Sequence, residues 1–267
     1  MSVPNYTIVC GVDRKHLEQL SWTWLTWKRH KPSLLLADMV VFCDKEQVKP
    51  HEVRQVVDHP RLFTLSWPPI DIDWGQSTNE KWDNPQRYKM LSGFVSVPAS
   101  MVQTPYWLKI DTDVVVTGMD DWIDPSWFVG NPAIVSHKWT FTKPPDQMLK
   151  LDRWVEQHKT AMPVFDDHPP LNLVPQPGAE RLGHKRIISR VAFFETGFTR
   201  RCARLASRTC GLYQLPCKSQ DGFMFYVAKR LGLDIKRISL KDNVGFQHWS
   251  TSYNVYKHSR IALGEPV

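Results

Sequence analysis

The stretch Tyr106-Trp107-Leu108-Lys109-Ile110-Asp111-Thr112-Asp113-Val114-Val115-Val116 decides how this chain is read. Tyr106 to Ile110 reads as a buried strand that runs straight into two carboxylates separated by one residue. Val114 to Val116 continues the apolar run, which stops at Gly118. Open α/β sheets keep their ligands at the carboxyl ends of their strands, where Asp111 and Asp113 fall. A bend at Thr112 lets both carboxylates reach one hard cation. Mg2+ or Mn2+ takes oxygen ligands and can share them with a diphosphate. The competing reading is a solvated turn, since Asp also favours turns.

What precedes this stretch sets its place in the fold. Tyr6 to Val12 reads as a buried strand. A helix follows from Arg14 to Lys28, on which Leu17, Leu20, Trp24 and Trp27 recur at helical spacing. A strand at Met39 to Phe42, a helix within Lys45 to His59 and a strand at Leu62 to Ser66 continue the alternation up to the breaker Trp67-Pro68-Pro69. Asp71 to Asn84 is loop-like. Asn84 and Pro85 mark a helix start, and Pro98 is expected to end or kink that helix. The rhythm predicts an α/β fold with a mixed, mainly parallel central sheet.

Beyond Gly118 the pattern is less regular. Strands are expected within Asn131 to Ser136, at Val191 to Phe194 and at Ile235 to Ile238. Helices are expected around Met148, Leu151 and Val155, over Phe198 to Leu205 and over Ser219 to Leu231. Met162 to Gly183, rich in Pro, His and Asp, reads as a long loop.

Composition narrows the class. The chain has 267 residues, enough for one sizeable core, and its 42% hydrophobic content is ordinary for a globular protein. The net charge of +7 draws anions. Its basic residues form no long run, so a solvated basic face is a better reading than a nucleic-acid surface. Five cysteines without CxxC spacing argue against a disulfide framework and a zinc site. Met1 to Val9 lacks the pattern of a signal peptide, and no apolar run has the ~20 residues of a membrane span. The expectation is a soluble, cytoplasmic protein with an affinity for acidic membrane surfaces left open. The 12 Trp residues serve either as core or as platforms for sugar rings, and Trp139, Trp154 and Trp249 are the candidates for the second use.

Other residues could share the chemistry. His248, in Gly245-Phe246-Gln247-His248-Trp249, carries an imidazole suited to Mn2+, although a lone His is more often structural. Ser219-Gln220-Asp221 opens a helix, where Asp221 is either a cap or a general base. Arg87 and Lys89, at the start of the helix before the acid pair, could hold phosphate or be two exposed charges.

Taken in order, Val12-Asp13, Arg87-x-Lys89, the Asp111-Thr112-Asp113 strand, Ser219-Gln220-Asp221-Gly222-Phe223 and the late His248 resemble the GT-A glycosyltransferases. The resemblance is strongest to the glycogenin and lipopolysaccharide galactosyltransferase family, which is retaining. It implies a Rossmann-like nucleotide-diphospho-sugar transferase domain over 1–267, with a nucleotide-sugar half at 1–118 and an acceptor half at 119–267. It makes Asp111, Asp113 and His248 the ligands of Mn2+ or Mg2+. It sets Arg87, Lys89, Asp111 and Thr112 on the donor, Val12 and Asp13 along its base and ribose, and Lys257 on its diphosphate. Gln220 lies under the anomeric carbon and Asp221 near the sugar hydroxyls. Glu195-Thr196-Gly197 and Trp249 hold the donor sugar or the acceptor.

The implied partners are a nucleotide-sugar donor, with UDP the expected nucleotide, and a glycan or lipid-linked acceptor. Three features depart from the pattern. Ser219 stands where an acid is usual, the Lys-Pro-Trp after the late His is missing, and the Asn expected near Glu195 is absent. An inverting enzyme with Asp221 as base is also permitted. Two other readings are a haloacid-dehalogenase-like phosphatase and a non-catalytic sugar-nucleotide or carbohydrate-binding protein. The first would carry its nucleophilic Asp on the first strand.

Overall fold

A seven-stranded sheet in the order β3-β2-β1-β4-β7-β6-β8 runs through both halves of the chain. Its members are β1 (Tyr6–Val12), β2 (Asp38–Asp44), β3 (Leu62–Trp67), β4 (Tyr106–Ile110), β6 (Ile134–Ser136), β7 (Val191–Glu195) and β8 (Ile235–Arg237). A separate ribbon pairs β5 (Val114–Val116) with β9 (Phe246–His248). The helices are α1 (Arg14–His30), α2 (Pro50–Val56), α3 (Pro85–Met101), α4 (Pro144–Gln157), α5 (Thr196–Ser207), α6 (Gln220–Arg230) and α7 (Ser252–Leu263). This computed structural model describes residues 2–69, 85–136, 144–158, 163–171, 191–207, 220–237, 245–249 and 251–267. Of residues 85–91, 144–150, 163, 207 and 237 it describes the backbone alone.

β1, β2, β3 and β4 are mutually parallel, β7 is antiparallel to both β4 and β6, and β8 is parallel to β6. The sheet is therefore mixed and mainly parallel, as the alternation of elements predicts. The chain moves from β1 out to β3 and then returns to the other side of β1 at β4. The carboxyl ends of β1 and β4 thus flank a topological switch point, the crevice where such sheets take ligands.

Side chains alternate across the sheet. On β4, Tyr106, Leu108 and Ile110 join the core that contains Trp24 and Trp27 of α1. Trp107 faces the other core with Phe94 of α3 and Phe223 of α6. There it stacks on Phe194 at 4.6 Å and donates to Thr199 Oγ1 at 2.8 Å. Gly11 and Gly93 let the ring of Phe42 come in close: a Cβ on either would lie within 2.5 Å of it. Cys10, Cys43 and Cys202 are buried free thiols.

Several boundaries differ from expectation. α3 carries Pro98 in its last turn and continues to Met101, because a proline there removes only one hydrogen bond and Val102 N still donates to Pro98 O at 3.1 Å. The helix expected within Lys45 to His59 begins only at Pro50. Before it, Asp44 folds the chain into a turn by accepting from Glu46 N at 3.0 Å and Val48 N at 2.9 Å. β9 and α7 were not anticipated. α7 has a side-chain cap, Thr251 Oγ1 accepting from Asn254 N at 3.3 Å, and ends at Gly264 in the left-handed region. It lies against α1, where His30 Nε2 meets Ala262 O at 2.9 Å and Arg29 donates to Leu263 O at 2.7 Å. Among the described residues no helix is long and apolar enough to cross a membrane.

Candidate active site

The acid pair is held from two sides. From α1, Thr23 Oγ1 donates to Thr112 O at 2.9 Å and Trp27 Nε1 to Val114 O at 2.8 Å, while Thr26 Oγ1 accepts from Val116 N at 3.0 Å. These bonds satisfy buried backbone groups of Thr112 and of β5, which among the described residues has β9 as its one strand neighbour. From the C-terminal side, β9 pairs with β5 so that His248 lies opposite Val114, and Trp249 N donates to Asp113 O at 3.2 Å. Gly245 makes this approach feasible. Its φ is +70°, and a Cβ there would lie 1.7 Å from Thr117 O. The result is that His248 Nε2 lies 2.8 Å from Asp113 Oδ2.

Asp111 has a different partner. Lys109 Nζ donates to Asp111 Oδ1 at 2.6 Å, with its side chain only 4% exposed. Burial alone would lower the pKa of Lys109. The nearby carboxylates of Asp111, Asp221 and Asp113 reverse this and raise it. Across the crevice, at the end of β1, Asp13 Oδ1 caps α1 by accepting from His16 N at 2.8 Å and also meets His16 Nδ1 at 2.7 Å. Burial would lower the pKa of His16, but Asp13, with help from Asp113 and Asp111, raises it. At the start of α6, Gln220 Nε2 donates to Asp221 Oδ1 at 2.6 Å, and Gln220 Oε1 is buried without a hydrogen-bond partner.

The structure therefore brings Asp111, Asp113, His248 and Asp13 to one sheet edge, with Asp221 within electrostatic reach through Lys109. Other sequence candidates fall elsewhere. Glu195, Thr196 and Gly197 lie at the opposite edge: β7 runs antiparallel to β4, so Glu195 pairs with Tyr106 and Val191 with Ile110. Glu195 caps α5, accepting from Gly197 N at 2.8 Å and from Phe198 N, while Thr196 is tied to Pro105 and Thr104. Val12 is wholly buried in the α1-side core, so its side chain does not line a pocket.

Trp249 has one face stacked on His258 at 3.5 Å, and Trp154 is stacked on His158 at 4.1 Å. Lys257 is half-buried in the second turn of α7 and forms no ion pair with the described residues. Arg87 and Lys89 fall in the first turn of α3, and their side chains lie outside the described residues, as do Trp139, Ser219 and most of the Met162 to Gly183 loop. Lys109, His16, Thr23 and Thr26 were not singled out from sequence. Lys109 had a signal: a charge in phase with Trp107 on the inward face of a strand.

Whether these groups suit a divalent cation can be tested on their spacing. Two donors each about 2.1 Å from an octahedral ion and at right angles to each other are about 3.0 Å apart. Asp113 Oδ2 and His248 Nε2 have that separation, at 2.8 Å. Two carboxylates and an imidazole are a donor set that Mn2+ accepts. Asp111 is the outlier, turned to Lys109. Among the described residues no three His, Cys, Asp or Glu side chains converge closely enough to hold a metal ion. The residues fit the ion in kind and the Asp113–His248 pair fits it in spacing.

No protein-family model matches the sequence, and no curated protein matches it. Solved structures do. The chain is similar to core-mannan synthase A from Aspergillus fumigatus in its Mn/GDP form, with a TM-score of 0.61 at 13% identity over 98% of this chain and 86% of that one. It is similar to the mannosyltransferase Ktr4p from S. cerevisiae, with a TM-score of 0.59 at 13% identity over 92% of this chain and 70% of that one. It is also similar to the galactosyltransferase LgtC in complex with donor and acceptor sugar analogs, with a TM-score of 0.54 at 11% identity over 98% of this chain and 96% of that one. At such identities the likeness is one of fold, and the fold is that of the GT-A glycosyltransferases, as the order of motifs implies.

Proposed function

We propose that this chain is a metal-dependent glycosyltransferase that moves a sugar from a nucleotide diphosphate donor to a hydroxyl of a glycan or lipid-linked acceptor. The observation that carries the reading is the meeting of His248 with Asp113 at 2.8 Å, made by a strand that returns from the C-terminal end of the chain to the acid pair. Asp111, Asp113 and His248 would hold Mn2+ or Mg2+, which would supply Lewis-acid neutralisation of the departing diphosphate.

The chain's own residues do the rest. Asp13, kept in place by His16 at the head of α1, lies along the nucleoside side of the crevice. Arg87, Lys89 and Lys257 give charge-assisted contacts to the donor. Gln220 offers its amide to the sugar at the reacting carbon. Asp221, in the first turn of α6, orients an acceptor hydroxyl or accepts its proton. Residues 1–118 bind the nucleotide sugar and 119–267 the acceptor, as two halves of one domain.

The Mn/GDP form of the Aspergillus fumigatus protein supports the metal and nucleotide class. A haloacid-dehalogenase-like phosphatase is disfavoured, because the acid pair follows the fourth strand of the chain. The charge of +7 suits a phosphorylated acceptor and a peripheral position on an acidic membrane surface at the cytoplasmic side.

A thermal-shift screen of UDP, GDP and their sugars with and without Mn2+ tests the reading, since a ligand of the folded state raises the unfolding temperature. At least one nucleotide is expected to stabilise the protein only in the presence of Mn2+. Stabilisation by none, or by nucleotides irrespective of metal, contradicts it.

A further inference from the structure

Lys109 is in an unusual place. It occupies the fourth position of a five-residue strand whose other members are all buried and apolar in character. It faces the same side as Trp107, toward α3 and α6, with its ammonium 4.8 Å from the centre of the Phe94 ring. An ammonium removed from water in this way is costly unless carboxylates compensate it. A neutral side chain would fill the position at lower cost, so the charge calls for an explanation in what it touches.

It touches the site. Asp111 Oδ1 lies 2.6 Å from Nζ, and Asp221 and Asp113 both act on the ammonium electrostatically. Asp221 is itself oriented by Gln220, at 2.6 Å. Lys109 thus grips a carboxylate assigned to the metal, and the carboxylate assigned to the sugar acts on its charge.

We propose that Lys109 is a positioning residue, an internal cation that holds Asp111 and competes with the divalent ion for it. The inference rests on the glycosyltransferase reading above. It has two consequences. With Oδ1 engaged by Lys109, the Asp111 carboxylate would be shared between the lysine and an ion. A bare divalent ion is also disfavoured, because the positive charge nearest to the acids is already present. The ion gains its full affinity only with a diphosphate, whose negative charge restores the balance. Metal and donor therefore bind as a pair.

The experiment compares Mn2+ binding to the nucleotide-free protein, read by electron paramagnetic resonance of the free ion, in wild type, Lys109→Met, Lys109→Gln and Asp113→Ala. Circular dichroism reports whether each is folded. Removal of a unit charge a few ångströms from the ion is expected to tighten bare Mn2+ binding about tenfold in both Lys109 variants. The kcat for transfer should fall while KM for the donor changes little, since orientation and not donor contact is lost. A purely structural lysine would not raise metal affinity, and a folded Lys109 variant that binds bare Mn2+ no more tightly than wild type overturns the proposal.

Should neither Lys109 variant fold, Asp221→Asn decides. It removes one of the carboxylates that act on Lys109 and is expected to weaken bare Mn2+ binding about threefold, whereas unchanged binding overturns the proposal. Wild-type protein that binds no more Mn2+ than Asp113→Ala even with saturating GDP or UDP present would sink the metal site itself and the role of Lys109 with it. Normal wild-type binding with unaltered Lys109 variants sinks only the latter.

Discussion

The two ends of β4 offer an instructive comparison. At the amino end, Glu195 of the neighbouring strand turns back on its own chain and caps α5. At the carboxyl end, roughly 15 Å away at the usual rise per residue of a strand, Asp111 and Asp113 are served by a neighbour on the strand and by groups from distant parts of the sequence. These groups are Lys109 from the strand itself, Thr23 from α1 through Thr112, and His248 from β9. A carboxylate that bonds the next turn of helix serves local structure. At the carboxyl end Asp111 is met by a buried lysine and Asp113 by an imidazole brought across from the other end of the chain, a gathering of charge that local structure does not require. The difference separates an acid that serves the fold from the acids proposed for the site.

Gly245→Ala should have the larger effect on this contrast. A Cβ at a φ of +70° and 1.7 Å from Thr117 O forces β9 away from β5, and His248 moves with it. Mn2+-dependent turnover is expected to fall about hundredfold, the upper end for losing support of a metal ligand. Stability should fall by about 1–3 kcal/mol from the strained backbone. A Mn2+ titration of turnover and a urea unfolding curve check both, and unchanged metal dependence would detach His248 from the site. Glu195→Gln should do less. It weakens the cap of α5 at a cost of about 1 kcal/mol, read by urea unfolding, and leaves the Mn2+ dependence of turnover as it was. A lost metal dependence would return Glu195 to the active centre.

Most of the sheet was legible because its strands carry their own signal. β1 and β4 coincide with the apolar runs Tyr6 to Val12 and Tyr106 to Ile110, and the acid pair follows β4 where expected. β9 was not legible. Three residues have no periodicity, and Phe246 to His248 becomes a strand only by pairing with Val114 to Val116 more than a hundred residues earlier. The misplacement of Glu195 to Gly197 has a similar origin: local composition says that Val191 to Phe194 is a strand but not which way it runs. Its antiparallel direction sends its carboxyl end to the far edge of the sheet. Thr23 and Thr26 read as ordinary helix residues, and their role comes from backbone groups of a segment they meet only in the folded chain. Lys109 and the capping pair Thr251 and Gly264 could have been recognised from the sequence by phase and by position.

The most direct test of the central claim is sugar transfer or hydrolysis from UDP- and GDP-sugars in Mn2+ by wild type and by Asp113→Ala. Wild type should turn over at least one donor and lose that activity when Mn2+ is chelated, and the variant should be folded and inactive. A folded Asp113→Ala protein that still turns over the donor would contradict the account, and so would a wild type that binds nucleotide sugars without ever cleaving one.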